Sequence, residues 1–165
     1  MCTIFIIFLW GDIMGETLKL LLPISGTVIP LSEVNDYLFN KKMMGEGIAI
    51  KPNDNLVYSP IDGEVAVLYE SKHALIIKGE SGINLLIHVG MNTAKLEGRG
   101  FGSFVKVGDK VSAGDKLMFF DTEYVENKSS LDTPVVITNP EILENIDIDF
   151  GAKKAKSVFA TIKLK

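Results

Sequence analysis

The sequence predicts an all-β protein, an antiparallel β-sandwich or barrel-sandwich hybrid with a few short helical turns. Three observations carry that reading. The apolar runs are short and rich in Val and Ile. The 15 glycines and 6 prolines fall between those runs, where turn chemistry belongs. Only Glu33–Asn40, Glu123–Lys128 and Glu141–Ile146 could hold a helical turn or two.

Taken in order, the chain opens on Met1–Trp10 (MCTIFIIFLW), which is apolar but far short of the ~20 residues that span a bilayer. It lacks the basic n-region expected of a signal peptide, and no small-residue cleavage site follows it. Residues 1–16 read as a leader. Either Met14 is the true initiator, or the segment packs on the domain, or it touches a membrane without a basic residue to help it. No stable membrane insertion is expected. Strand-like runs then follow at Leu18–Leu22, Ile48–Ile50, Glu64–Leu68, Ala74–Ile77, Ile83–Val89, Lys116–Phe120, Val135–Ile137 and Val158–Ile162. With no low-complexity linker among them, residues 17–165 are expected to form one domain.

Lys+Arg 17 against Asp+Glu 21 gives a net charge of −4, which argues against a nucleic-acid partner needing a basic face. Hydrophobic residues at 47% and charged residues at 23% describe a folded globule. The single cysteine, Cys2, excludes an internal disulfide and a cysteine-based zinc site, and a reducing, cytoplasmic home follows.

Both histidines, His73 and His88, lie in strand-like runs, with Gly79-Glu80-Ser81-Gly82 between them as a tight turn. A two-residue turn about Glu80-Ser81 opposes Gly79 to Gly82, Ile77 to Asn84, Leu75 to Leu86 and His73 to His88. Directly opposed side chains share a face, about 4.5–5.5 Å apart at Cβ, so the imidazoles should meet across a hairpin. In that register Ile83, Leu85, Ile87 and Val89 face the core with Ala74 and Ile76. The other face carries His88, Leu86 and Leu75 and is apolar enough to read as a docking surface.

Three chemistries fit two adjacent imidazoles. A resident metal needs a third ligand, and no H-x-H, H-E-x-x-H or cysteine cluster supplies one. An acid–base hydrolase needs a nucleophile or carboxylate dyad, and no G-x-S-x-G occurs. Phosphoryl transfer through histidine needs least, one imidazole as nucleophile and a second ring to hydrogen-bond the phosphoryl oxygens. No cofactor is expected, and the pair could hold at most an adventitious zinc ion.

The segment Gly82–Ala94 (GINLLIHVGMNTA) resembles the phosphohistidine motif of the glucose-type IIA component of the bacterial phosphoenolpyruvate–sugar phosphotransferase system. The likeness extends through Pro23–Thr27, Gly45–Pro52, Ser59–Gly63, Lys72–Ala74, Val107–Val111 and Thr133–Val136. It implies a phosphotransferase in which His88 takes a phosphoryl group on Nε2 from the histidine phosphocarrier protein. The group then passes to a cysteine of a IIB domain, driving sugar phosphorylation coupled to transport. It further implies that His73 supports the phosphoryl group, that the Gly90 carbonyl accepts from His88 Nδ1–H, and that Ser71 stands where the family has a threonine. A partner-binding ring is implied at Asp36, Leu38, Phe39, Met44, Tyr69, Leu75, Leu86, Asn92 and Ala94. Asn92 departs from the family, which commonly has Asp there.

Two alternatives stand beside this reading. One is a regulatory, non-transport homologue. The other is a biotinyl or lipoyl carrier, suggested by Gly63-Glu64-Val65 and by the spacing of Val107, Val111, Gly114 and Leu117. Such a carrier needs an exposed lysine at a hairpin tip, and its nearest candidate is Lys41-Lys42-Met43-Met44.

Overall fold

The structure, a computed structural model, describes residues 17–165, so the leader assigned to residues 1–16, Cys2 included, lies outside the described residues. The strands begin with β1 (Thr17–Leu21), β2 (Gly26–Pro30), β3 (Glu46–Pro52), β4 (Leu56–Tyr58), β5 (Gly63–Leu68), β6 (Ala74–Gly79) and β7 (Asn84–His88). They continue with β8 (Phe101–Ser103), β9 (Lys110–Val111), β10 (Lys116–Phe120), β11 (Thr133–Ile137), β12 (Leu143–Ile148) and β13 (Val158–Leu164). Two helical turns, α1 (Tyr37–Asn40) and α2 (Thr122–Glu126), are joined by 3-10 turns at Leu31–Glu33, Thr93–Leu96 and Pro140–Ile142.

Strand pairing is antiparallel throughout the described residues. The strands form one seven-stranded sheet, β2-β3-β11-β7-β6-β5-β9, and two three-stranded sheets, β1-β13-β12 and β4-β10-β8. The all-β expectation holds, in the form of open sheets rather than a closed barrel.

The centre of the large sheet, β3, β11, β7 and β6, is largely buried on both faces, and alternation along these strands divides two cores. Ile48, Ile50, Leu75, Ile77, Leu85, Ile87, Val135 and Ile137 point into the main core, which gathers residues from Leu20 to Leu164. Ala49, Ala74, Leu86 and Val136 point the other way, into a smaller core closed by Leu31, Val34 and Phe39. Each fully buried Leu or Ile contributes roughly 1.5–3 kcal/mol relative to exposure. The smaller core explains why the face of β7 bearing His88 reads as too apolar for solvent. The segment around α1 folds back over it.

That segment is held by a cap. Asp36 sits in an extended conformation before α1, and its Oδ1 accepts from the N–H groups of Leu38 (3.0 Å) and Phe39 (3.3 Å). Asp121 caps α2 in the same way, accepting from Tyr124 N–H at 3.0 Å. Helical turns therefore occur within two of the three expected segments. The third, Glu141–Ile146, is corrected to a single 3-10 turn leading into β12. The alternation Ile146-Asp147-Ile148 continues past the window, and pairing with β13 overrides a short helical propensity. Strands β2, β4, β8 and β9 were not among the expected runs. β2 carries Gly26 and Pro30 at its ends and reads as a turn, yet as an edge strand it tolerates proline.

The register between β6 and β7 also corrects the expectation by one residue. Ala74 opposes His88, Leu75 opposes Ile87 and Ile77 opposes Leu85. The cause is the turn, which has three residues rather than two. Gly79 N–H donates to the Ile83 carbonyl (2.8 Å) and Gly82 N–H to the Gly79 carbonyl (3.0 Å), with Gly82 left-handed at φ +96°. Ala74 and Ile76 therefore share the His88 face, and Leu75 moves into the main core.

This turn makes a testable statement. A β-carbon on Gly82 meets no heavy atom within 4 Å, so Gly82→Ala should cost only the left-handed penalty of about 1–2 kcal/mol in urea unfolding. A cost as large as a core truncation would contradict the three-residue turn.

Candidate functional site

His88 ends β7, and His73 immediately precedes β6. By alternation alone the shifted register would send His73 to the main-core face. The chain leaves the sheet at that point instead, with Lys72 left-handed at φ +53°, and the His73 ring turns toward His88. The ring centroids lie 4.8 Å apart at an interplanar angle of 79°. The expected meeting of the two imidazoles therefore occurs, by a different route. The Val89 N–H donates to the His73 carbonyl at 2.7 Å and ties the two segments together.

Each ring has one nitrogen engaged. His88 Nδ1–H donates to the Gly90 carbonyl at 2.8 Å. A carbonyl can only accept, so the neutral ring carries its proton on Nδ1 and keeps a lone pair on Nε2. His73 Nδ1 is hydrogen-bonded to the Ser71 hydroxyl, which can serve as donor or acceptor. When the hydroxyl donates, the His73 proton resides on Nε2. Aromatic edges complete the setting, with Phe39 against His88 and Tyr69 against His73, both at 5.4 Å between centroids.

His73 is 4% exposed. Burial is the main reason its pKa falls from 6.5 to about 4, and the neighbouring His88 charge lowers it further. His88 is also held below its usual value, by burial first, against opposing contributions from the Gly90 carbonyl and the Asp36 carboxylate. Both rings are thus neutral at pH 7, the state in which an imidazole is a nucleophile.

A cavity of about 260 Å³ opens over His88. Asp36, Leu38, Phe39, Met44, Tyr69, Leu86, Asn92 and Ala94, all expected around the site, line it. They divide into a buried floor, Phe39 and Leu86, and an exposed rim that includes Leu38 (47%) and Tyr69 (41%). Leu75 is the correction. It is 0% exposed in the main core because the register shift turns it away. Thr93, outside the expected set, also lines the cavity and is fully buried. Its place at the end of the Gly82–Ala94 motif was the signal available. A second hollow of about 480 Å³ lies alongside, lined by Tyr69, Glu70, Ser71, His73, Ala94 and Glu97.

Among the described residues no group of three or more His, Cys, Asp or Glu is arranged to hold a metal ion. Lys41 and Lys42 fall in the turn between α1 and β3, where Lys42 pairs with Glu46 at 3.0 Å, and not at a hairpin tip. The arrangement offers a neutral nucleophilic nitrogen, a second ring beside it and an apolar rim.

Residues 18–143 match the family described as phosphoenolpyruvate-dependent sugar phosphotransferase system, EIIA 1. A PTS system glucose-specific EIIA component of Oceanobacillus iheyensis is 47% identical over 125 residues, covering 75% of this chain and 76% of that protein. One from Bacillus cereus is 43% identical over 143 residues, covering 86% and 87%. The solved structure of glucose permease IIA from Mycoplasma capricolum is similar at a TM-score of 0.82 and 36% identity, over 89% of this chain and 96% of that one.

The lowered pKa values predict acid sensitivity. A histidine whose folded pKa lies below its unfolded value gives full stability above about pH 6.5, and that stability is lost as pH falls toward 4. For His73 the loss between pH 7 and pH 5 should be on the order of 2 kcal/mol. His73→Gln should flatten this part of the profile in urea titrations. Equal pH slopes for the two proteins would show that His73 is not held neutral by burial.

Proposed function

Because this chain belongs to the EIIA 1 family of the phosphoenolpyruvate-dependent sugar phosphotransferase system, we propose that His88 is the residue through which it carries phosphate. The chain is a phosphoryl carrier in sugar uptake. The observation that carries the assignment is the hydrogen bond from His88 Nδ1–H to the Gly90 carbonyl, beside a second ring 4.8 Å away.

The His88 Nε2 lone pair attacks the phosphorus of the phosphohistidine on the phosphocarrier protein. A nitrogen–phosphorus bond forms on His88, the donor's nitrogen–phosphorus bond breaks, and the donor imidazole keeps the electron pair. In the second transfer a cysteine thiolate of the IIB domain attacks, a sulfur–phosphorus bond forms, and His88 leaves as the neutral ring. His73, with Ser71 donating to its Nδ1, presents Nε2–H to the phosphoryl oxygens and stabilises charge on the group in flight. Asp36, Leu38, Met44, Tyr69, Asn92 and Ala94, over the buried floor of Phe39 and Leu86, form the surface on which both partners dock in turn. An apolar rim around a polar centre suits successive partners that share only the reacting atoms.

No helix among the described residues is long and apolar enough to cross a membrane. We place the reaction in the cytoplasm, where a soluble phosphocarrier meets it. The two relatives named glucose-specific support glucose as the first sugar to test.

Incubation with phosphoenolpyruvate, enzyme I and the phosphocarrier should put acid-labile phosphate on His88. Label on His73 with none on His88 would overturn the assignment. His73→Gln should still accept phosphate but pass it to IIB more slowly, about 10- to 100-fold if its hydrogen bond acts mainly in the transition state. Unchanged transfer to IIB would reduce His73 to packing.

Phosphorylation adds negative charge beside a ring held low by burial and by the charge of its neighbour. The His73 pKa should therefore rise from about 4 in the phosphorylated protein. An NMR titration reads this directly, and a His73 that titrates no higher after phosphorylation would remove the electrostatic part of the mechanism.

A further inference from the structure

We propose that Thr93 is a positioning residue for this transfer. Its hydroxyl, by holding the Val89 carbonyl, fixes the loop that presents the Gly90 carbonyl to His88 and so decides which nitrogen of His88 is free. The inference rests on His88 as acceptor and adds the device that prepares it.

Thr93 is 0% exposed at the start of the 3-10 turn Thr93–Leu96, and its Oγ1 donates to the Val89 carbonyl at 2.6 Å. The same Val89 donates its N–H to the His73 carbonyl at 2.7 Å. One residue therefore connects the Thr93 hydroxyl to the backbone of both histidine segments.

Gly90 is gripped from two sides. Its φ is +73°, and a β-carbon there would lie 2.5 Å from Thr93 Cγ2 and 2.8 Å from the Ser130 carbonyl oxygen. The adjacent Met91 N–H donates to that Ser130 carbonyl at 2.9 Å. Asn92 is left-handed as well, at φ +56°. Gly90 and Asn92 are residue types that reach the left-handed region most easily, and the loop that uses both is fixed in shape by these contacts.

The hydroxyl matters more than the methyl because of which peptide unit it holds. The Val89 carbonyl belongs to the peptide plane between Val89 and Gly90, and rotation of that plane changes Gly90 φ. Without the hydroxyl, that carbonyl loses its donor in a buried setting, and the plane is free to turn toward another partner. The Gly90 carbonyl, whose own peptide unit is then held only through the Met91 N–H to Ser130, shifts off His88 Nδ1. With no acceptor there, the ring proton is free to move to Nε2, and the nucleophilic lone pair is lost from the transferring nitrogen.

The test compares Thr93→Val, which keeps the shape without the hydroxyl, with Thr93→Ser, which keeps the hydroxyl without the methyl. Ring nitrogen-15 shifts of His88 in the unphosphorylated full chain report the tautomer. Rates of phosphate acceptance from the phosphorylated carrier report the chemistry. Thr93→Val should lose the single Nδ1–H signature and accept phosphate about 10- to 100-fold more slowly, the scale of a small misplacement of reacting atoms. Thr93→Ser should keep the native signature and most of the rate. Thr93→Val with native tautomer and rate overturns the proposal, as does Thr93→Ser impaired as severely as Thr93→Val. Should Thr93→Val fail to fold, Thr93→Ala against Thr93→Ser isolates the hydroxyl in the same way, and equal ring signatures in that pair overturn it. Because the tautomer is read without phosphate, the positioning role and the identity of the acceptor succeed or fail separately.

Discussion

The chemistry of the site depends on one hydrogen bond, from His88 Nδ1–H to the Gly90 carbonyl. A neutral imidazole has two tautomers, and only one leaves Nε2 free to attack. Burial keeps the ring neutral but does not choose between them; an oxygen that can only accept does. That choice requires Gly90 at φ +73°, where a side chain would be strained and would meet Thr93 and the Ser130 carbonyl. The glycine is thus a condition of the tautomer, and the tautomer is a condition of the nucleophile.

The fold supplies the rigidity this demands. His88 stands at the end of β7, the middle strand of the seven-stranded sheet, with β6 on one side and β11 on the other. Leu85 and Ile87 are anchored in the main core, Leu86 in the smaller one. A strand packed on both faces and paired on both edges has little freedom to shift, so the ring it ends on inherits a fixed position. The loop that leaves it is held by hydrogen bonds rather than by packing alone. The site therefore combines a stiff base with a tip whose left-handed turn is held in place by hydrogen bonds.

Much of this was legible in the sequence because two signals are local. Short Val- and Ile-rich runs between Gly and Pro describe β-strands whatever their partners are, and the Gly82–Ala94 motif carries His88, Gly90 and the Leu86, Asn92 and Ala94 part of the cavity lining in one stretch. What failed was long-range or one residue deep. Two- and three-residue turns both suit Gly79–Gly82, and the difference of one residue exchanges the faces of an entire strand. Leu75 was lost from the rim for that reason. His73 kept its place because Lys72 adopts a left-handed conformation just outside the strand, which alternation cannot register. Strand β12 was hidden because its decisive partner, β13, lies beyond a loop, and no property of Glu141–Ile146 by itself reveals it.

Asn92 shows how backbone and charge can be separated at a single position. Its φ of +56° is one that Asn and Asp tolerate better than most residues, so Asn retains the turn leading into Thr93. What it does not retain is charge. Among the described residues lining the cavity, Asp36 is then the one carboxylate. Asp36 is already committed, since its Oδ1 accepts two N–H groups at the start of α1. Its charge still raises the His88 pKa, partly offsetting burial. In the proposed transfer an arriving phosphoryl group, itself anionic, therefore meets one fixed negative charge whose position is set by a helix cap. The acid that tunes His88 is the same acid that holds the segment bearing Phe39 over the ring, so the electrostatics and the packing of the site are coupled through a single side chain.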